Sequence, residues 1–143
     1  MEEQDNTKET EALIDALPYY SALYEAESGR NPKARNPTST ASGGFQFIES
    51  TAKALGIRDT FDLAESFEAV QKMTQDHQKY FLTDDPALLY SAHYLGQTVL
   101  SKYIHGKDLT ENQRAQVEYL KEIALPRFLK IYEKVLKRAL TEC

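Results

Sequence analysis

The chain has 143 residues, 41% of them hydrophobic and 27% charged, with a net charge of −5. That is the profile of one globular domain long enough to bury a core. The acidic balance argues against nucleic acid as a partner, no apolar run is long enough to span a bilayer, and a lone cysteine, Cys143, excludes internal disulfides and a cysteine-based metal site.

The first residues, "MEEQDNTKETE", are acidic where a secretory signal is basic and then apolar. Residues 1–8 read as a loose tail on a single domain spanning 1–143. The chain is expected to be cytoplasmic, delivered by a route other than its own leader, or cut from a longer protein. A helical pattern then covers about 9–28, interrupted or restarted at Pro18. Residues 29–48 are rich in Gly, Pro, Asn, Ser and Thr and read as a long loop or a small β-like excursion. A loop of that length in a compact domain is uncommon and often functional.

"ESTAKALG" at 49–56 reads as a short helix with Ser50 as N-cap and Gly56 as its stop. Asp62 can cap a helix over about 63–82. Pro86 opens another over about 87–104, and "HGKD" at 105–108 is a turn. Thr110 and Gln113 have capping-box spacing for a helix to about 124. Pro126 restarts a last one to about 140, with Phe128, Tyr132, Val135 and Ala139 on one face, Leu129 and Leu136 beside them.

Charge falls in blocks. Residues 1–29 hold eight acids against Lys8 alone, whereas 30–58 hold Arg30, Lys33, Arg35, Lys53 and Arg58 against Glu49 alone. No acidic residue stands between Glu27 and Glu49. His77, His93 and His105 are too far apart in sequence for a helical metal pair, so no metal or cofactor is expected.

Two glutamates precede the acid-free stretch, and spacing separates them. Leu13, Leu17, Tyr20, Tyr24 and Glu27 recur at helical steps. Glu27 lies about 20° from Tyr20 around the helix axis, whereas Glu25 lies roughly 100° from Tyr24. Glu25 is therefore expected in solvent and Glu27 half-buried at a helix C-terminus. Burial and the negative end of a helix both favour a protonated carboxyl, the form a general acid needs. Pairing of Glu27 with Arg30 is the structural alternative. A two-carboxylate glycosidase would need a second acid across the cleft, and Ser28 to Ile48 offers none.

With Glu27 in view, the chain resembles the lytic transglycosylase branch of the lysozyme superfamily. The resemblance rests on "ESG" at 27–29, "NP" at 31–32, "GGFQF" at 43–47 and "STAKALG" at 50–56, with a weaker echo in "SAHYLG" at 91–96. It covers residues 12–57 well, and the "SAHYLG" form is closest to phage-borne members. It implies a mainly α, lysozyme-like fold of about six helices, with the long loop forming the cleft.

The implied chemistry is cleavage of the β-1,4 bond between N-acetylmuramic acid and N-acetylglucosamine in peptidoglycan, with a 1,6-anhydro product. By position Glu27 is the acid/base, Ser28 supports the helix end, Phe45 floors the site and Gln46 contacts sugar. The family's serine falls at Asn36, with Ser39 or Thr40 as substitutes, and a family leucine falls at Gly44, which thins the site wall. The tyrosine that orients the glutamate falls at His93, with Tyr94 beside it.

Peptidoglycan glycan strands are the implied partner, with other virion or lysis proteins possible in a phage setting and a monomer expected. The implied location is the virion, or the host cytoplasm and then the periplasm and cell wall. A secretion-system enzyme is the other source. The rival readings are a muramidase of the same fold, a non-catalytic glycan-binding or virion module, and an interaction protein docking through its basic last helix.

Overall fold

The computed structural model describes residues 6–141; residues 1–5 of the expected tail and Cys143 lie outside the described residues. The chain is mainly helical. The helices are α1 (Thr7–Asp15), α2 (Pro18–Ser28), α3 (Glu49–Ala54), α4 (Leu63–Phe81), α5 (Pro86–Leu95), α6 (Gln97–Ile104), α7 (Glu111–Tyr119) and α8 (Leu125–Thr141). The long loop carries only isolated antiparallel bridges, Arg35 to Ser42 and Ser42 to Phe47.

Local chemistry explains most boundaries. Pro18 and Pro86 each stand in the first turn of their helix, where a missing N–H costs nothing. The Asp62 carboxylate accepts from the Glu65 N–H. Thr110 and Gln113 form a complete capping box, each side chain bonded to the other's backbone N–H at 2.9–3.1 Å. Gly56, with φ +73°, follows the end of α3.

Four expectations are corrected. Ser50 lies inside α3, whose N-cap position is Ile48. The helix expected over about 87–104 breaks at Gly96, whose φ of 85° and ψ of 156° suit glycine alone. Pro126 does not restart a helix. Leu120–Ala124 forms a π-helical turn, closed by the Leu125 N–H reaching back to the Leu120 carbonyl, and α7 passes through it into α8. A wider turn suits the step into a proline, which lacks an N–H and crowds the carbonyl four residues back. Finally, the stripe from Leu13 to Glu27 is not continuous: Leu13 and Leu17 are exposed and Ile14 is fully buried. The chain leaves helical geometry at Leu17 (φ −123°, ψ 100°), which resets the phase between α1 and α2.

The chain divides into two compact units: Met1–Lys72 with Ile131–Cys143, and Met73–Lys130. α1 opens at Thr7, inside the stretch read as a tail. The first unit buries Ile14, Leu23, Tyr24, Phe45, Phe67 and Val70. Tyr24 and Phe45 meet at 5.6 Å, and Phe45 stacks on Phe67 at 6.1 Å. The second unit buries Leu89, Tyr90, Leu100, Val117, Leu120 and Phe128, with Tyr90 and Phe128 stacked at 4.3 Å and 11°.

Two predictions follow from this packing. A Cβ on Gly43 would run into the Thr60 backbone carbonyl, and Gly43 has φ +85°; Gly43→Ala should lower stability by on the order of 3 kcal/mol in chemical denaturation. A loss below about 1 kcal/mol contradicts this account of the turn. In the second unit His77 is 6% exposed, and burial, then His93, hold it below its ordinary 6.5 against an opposing Asp76. A depressed folded-state value means its contribution is intact above the unfolded value and is lost as pH falls below it. Unfolding free energy should therefore drop between about pH 6.5 and 5.5 by at most about 1.4 kcal/mol from this group. His77→Gln should flatten that slope, and an unchanged slope contradicts the assignment.

Candidate active site

The first unit places Glu27 in the last turn of α2, one turn beyond Tyr24 on the same face. The Tyr24 ring is fully buried, and its hydroxyl donates to a Glu11 carboxylate oxygen at 2.7 Å. Burial, then that carboxylate, raise the phenol far out of any physiological titration.

Beyond Glu27 the helix closes on left-handed Gly29, whose N–H bonds to the Glu25 carbonyl at 2.9 Å. Arg30 follows, also left-handed at φ 64°. Its guanidinium grips both oxygens of Asp15 at 2.9 and 3.0 Å and lies 5.0 Å from the Tyr24 ring centre. Ser21 adds a hydroxyl bond to the same Asp15 at 3.2 Å. Asp15 is thus a bidentate partner of Arg30, and the pair ties the end of α1 to the chain that follows the Glu27 turn.

Ser28 braces the same turn from the other side. Its hydroxyl donates to the Tyr24 carbonyl at 3.0 Å and accepts the Asn31 N–H at 3.1 Å. Asn31 in turn accepts the Lys33 N–H at 3.0 Å. The glutamate turn and the start of the loop form one hydrogen-bonded piece. The expected contrast between the glutamates is weaker than spacing suggests, because Glu25 and Glu27 are both half-buried.

The loop is folded back on itself. Gly43 donates to the Ala34 carbonyl at 2.8 Å, and Ser42 and Phe47 exchange backbone bonds at 3.1 Å. Asn36 is exposed and uses its side-chain oxygen to accept the Thr38 N–H and hydroxyl, both at 2.9 Å. Gln46 sits at φ 55° and turns its amide nitrogen to the Gly43 carbonyl at 2.9 Å. Phe45 has no exposed surface, so it supports the loop from beneath and offers no face to a ligand. Gly44, standing where the family has a leucine, leaves no gap: an added Cβ would lie 2.8 Å from the Tyr24 ring and 2.9 Å from Leu63.

Glu27, Ser28, Asn36, Phe45 and Gln46 all belong to the first unit. His93 and Tyr94 belong to α5 in the second. There Tyr94 is at the surface and stacks between Tyr90 at 6.4 Å and Tyr119 at 6.2 Å. The first unit also holds a cavity of about 710 Å³ formed by the loop, α3 and the segment after it. Asn36, Ser39 and Thr40 line it and Glu27 does not. Among the described residues no group of three His, Cys, Asp or Glu side chains comes together as a metal site.

The clamp of Glu11, Asp15 and Arg30 around Tyr24 is absent from the sequence reading. Its members are 13 and 15 residues apart, a separation with no local signature. What the arrangement can do is fix the helix turn that bears Glu27, beside a loop that contributes no carboxylate.

The family model described as the transglycosylase SLT domain matches residues 7–118. The match runs from the first turn of α1 to the last of α7, and the π turn and α8 lie beyond it. No curated protein and no solved structure matches the chain. With the glutamate turn, the folded loop and helices α1 to α6 inside that span, the protein belongs to the transglycosylase SLT domain family, the lytic transglycosylase branch of the lysozyme-like superfamily, and is a glycosidase-type enzyme of peptidoglycan.

Proposed function

We propose that this protein cleaves the MurNAc-β-1,4-GlcNAc bond of peptidoglycan by transglycosylation, with Glu27 as its single acid/base. The observation that carries the reading is a half-buried glutamate at the braced end of α2, followed by a folded loop without a carboxylate from Ser28 to Ile48.

In the first step Glu27 gives its proton to the glycosidic oxygen as the bond to C1 of the muramic acid breaks. Positive charge then develops at C1 and the ring oxygen. Glu27, now a carboxylate, takes the proton of the muramic acid's own C6 hydroxyl, and O6 bonds to C1. The products are a GlcNAc end and a 1,6-anhydro-MurNAc end. Glu27 returns to its starting protonation state, and no water is consumed. The attacking hydroxyl is part of the same sugar, so the cost of bringing in a second reactant is avoided.

Ser28 acts as a positioning residue by fixing the turn through its two bonds. Gln46, His93 and Tyr94 are proposed to contact the sugars or the glutamate, and Asn36 stands for the family's serine. Phe45 holds the loop in place from the core side. The "SAHYLG" segment favours a phage-type setting, with virion or lysis proteins as partners and the cell wall as the place of action.

Two measurements test this reading. Glu27→Gln should lower the rate of clearing of chloroform-treated Gram-negative cells by about 10²–10⁴-fold while leaving the thermal unfolding midpoint nearly unchanged; clearing at the parent rate contradicts the assignment. Muropeptides released from purified sacculi should carry ends one water lighter than hydrolysis products. Reducing muramic acid ends would establish the muramidase reading instead.

A further inference from the structure

The basic block at 30–58 is not used up by the chemistry at Glu27. Two of its five cations are committed inside the first unit: Arg30 to Asp15 at 2.9 Å, and Lys33 through its ammonium to the Phe61 carbonyl at 3.1 Å. The other three, Arg35, Lys53 and Arg58, all line the cavity of about 710 Å³, facing Glu49 as the single lining carboxylate.

These three are available to a ligand. Arg35 lies with its guanidinium 4.6 Å from the centre of the Phe61 ring, a stacking that holds the side chain while leaving its donors in plane. The Arg58 side chain is 91% exposed and reaches Glu65 only at 3.7 Å, a weak and screened pair. Lys53 is exposed on α3.

The Ser42 and Thr60 hydroxyls bond each other at 2.6 Å, whereas Thr40 and Ser39 accept backbone N–H groups at 2.9 and 3.1 Å and keep their own O–H donors. The charge for recognising an anion would come from the cations, with the Ser39 and Thr40 hydroxyls as further donors. Phe47, Ala52 and Ile57 supply apolar wall between them.

We infer that this cavity is a subsite for the short acidic peptides attached to the glycan strands, taking their carboxylates on Arg35, Lys53 and Arg58. The inference rests on the peptidoglycan reading above. Sugars whose lactyl groups are amide-linked are uncharged and give no reason for three cations on one cavity, whereas the attached peptides carry free carboxylates together with small methyl side chains. Charge-assisted bonds to carboxylate suit the guanidinium forks, and the apolar wall suits the methyl groups. Asn36, Ser39 and Thr40 sit on the same cavity, which connects the peptide subsite to the loop that begins at the glutamate turn.

The test uses the full chain and two readouts. The probe is the stem peptide released from sacculi by an amidase, titrated by calorimetry at low salt, with the same peptide amidated at its carboxyls as a second arm. Arg35→Gln combined with Lys53→Gln should weaken binding of the free-acid peptide by about tenfold, and amidation should weaken binding to the parent similarly. Lys130→Gln with Lys134→Gln on α8, the same charge change outside the cavity, should leave binding unchanged. On peptide-bearing strands the Arg35, Lys53 pair of substitutions should raise KM and spare kcat. On peptide-free strands with their lactyl carboxylates amidated it should change neither. Equal peptide binding by parent and variant, or equal loss on peptide-free strands, overturns the inference. Loss of peptide binding in the variant without any anhydro product from the parent overturns the transglycosylase reading and keeps this one.

Discussion

The Tyr24 side chain is the constraint on which the first unit depends. Its ring has no exposed surface and packs against Phe45 at 5.6 Å. Its hydroxyl reaches Glu11 on α1 at 2.7 Å, and Arg30 lies over its face at 5.0 Å. One residue thus joins α1, α2, the loop and the residue after the helix end. Magnitudes rank these contacts. Removing a buried aromatic ring costs about 3–5 kcal/mol, whereas an exposed ion pair such as Arg30 with Asp15 contributes about 0–1 kcal/mol. The ring sets the position, and the polar clamp sets the direction in which the chain leaves it.

That ordering shapes the site. With Tyr24 fixed, Gly44 must lack a side chain, since an added Cβ would meet the ring and Leu63, and Phe45 must enter the core. The loop is therefore registered on the helix that bears Glu27. Ser28 bonds to the Tyr24 carbonyl and to the Asn31 N–H, so the turn carrying the glutamate and the start of the loop move together. In the proposed reaction Glu27 acts twice on one sugar ring, first giving a proton and then taking one, and a braced turn suits that demand. A mobile carboxylate would lose alignment between the two events.

Features governed by nearest neighbours were readable from the amino acids alone. Pro18 and Pro86 opened helices, Asp62 capped one, and Thr110 with Gln113 formed the expected box, because each depends on residues within one turn. The Gly96 break was hidden, since helical patterning resumes on both sides of it. So was the π turn before Pro126, because a proline signals interruption without saying how the backbone absorbs it. The stripe from Leu13 to Glu27 failed at Leu17, where two extended dihedrals changed the phase. At the site, spacing put Glu27 on the buried face with Tyr24, but it overstated the exposure of Glu25. Phe45 read as the floor of the site, and its full burial was not legible because a motif gives position without depth. The Asp15–Arg30 clamp and the cation-lined cavity depend on tertiary contacts across the chain, for which one sequence holds no periodic trace.

The acid-free stretch from Ser28 to Ile48 thereby acquires two connected meanings. In the proposed reaction a loop without a carboxylate next to Glu27 leaves the nucleophile to the substrate. With Glu49 as the single lining carboxylate, Arg35, Lys53 and Arg58 leave the neighbouring cavity with an excess of positive charge. The claim at the centre is that the substrate's own hydroxyl, and not water, closes the reaction. Digestion of purified sacculi in water enriched in heavy oxygen, followed by mass analysis of the new muramic acid ends, tests it most directly. The account expects no heavy oxygen at C1 of those ends; one heavy oxygen per cleavage would contradict it.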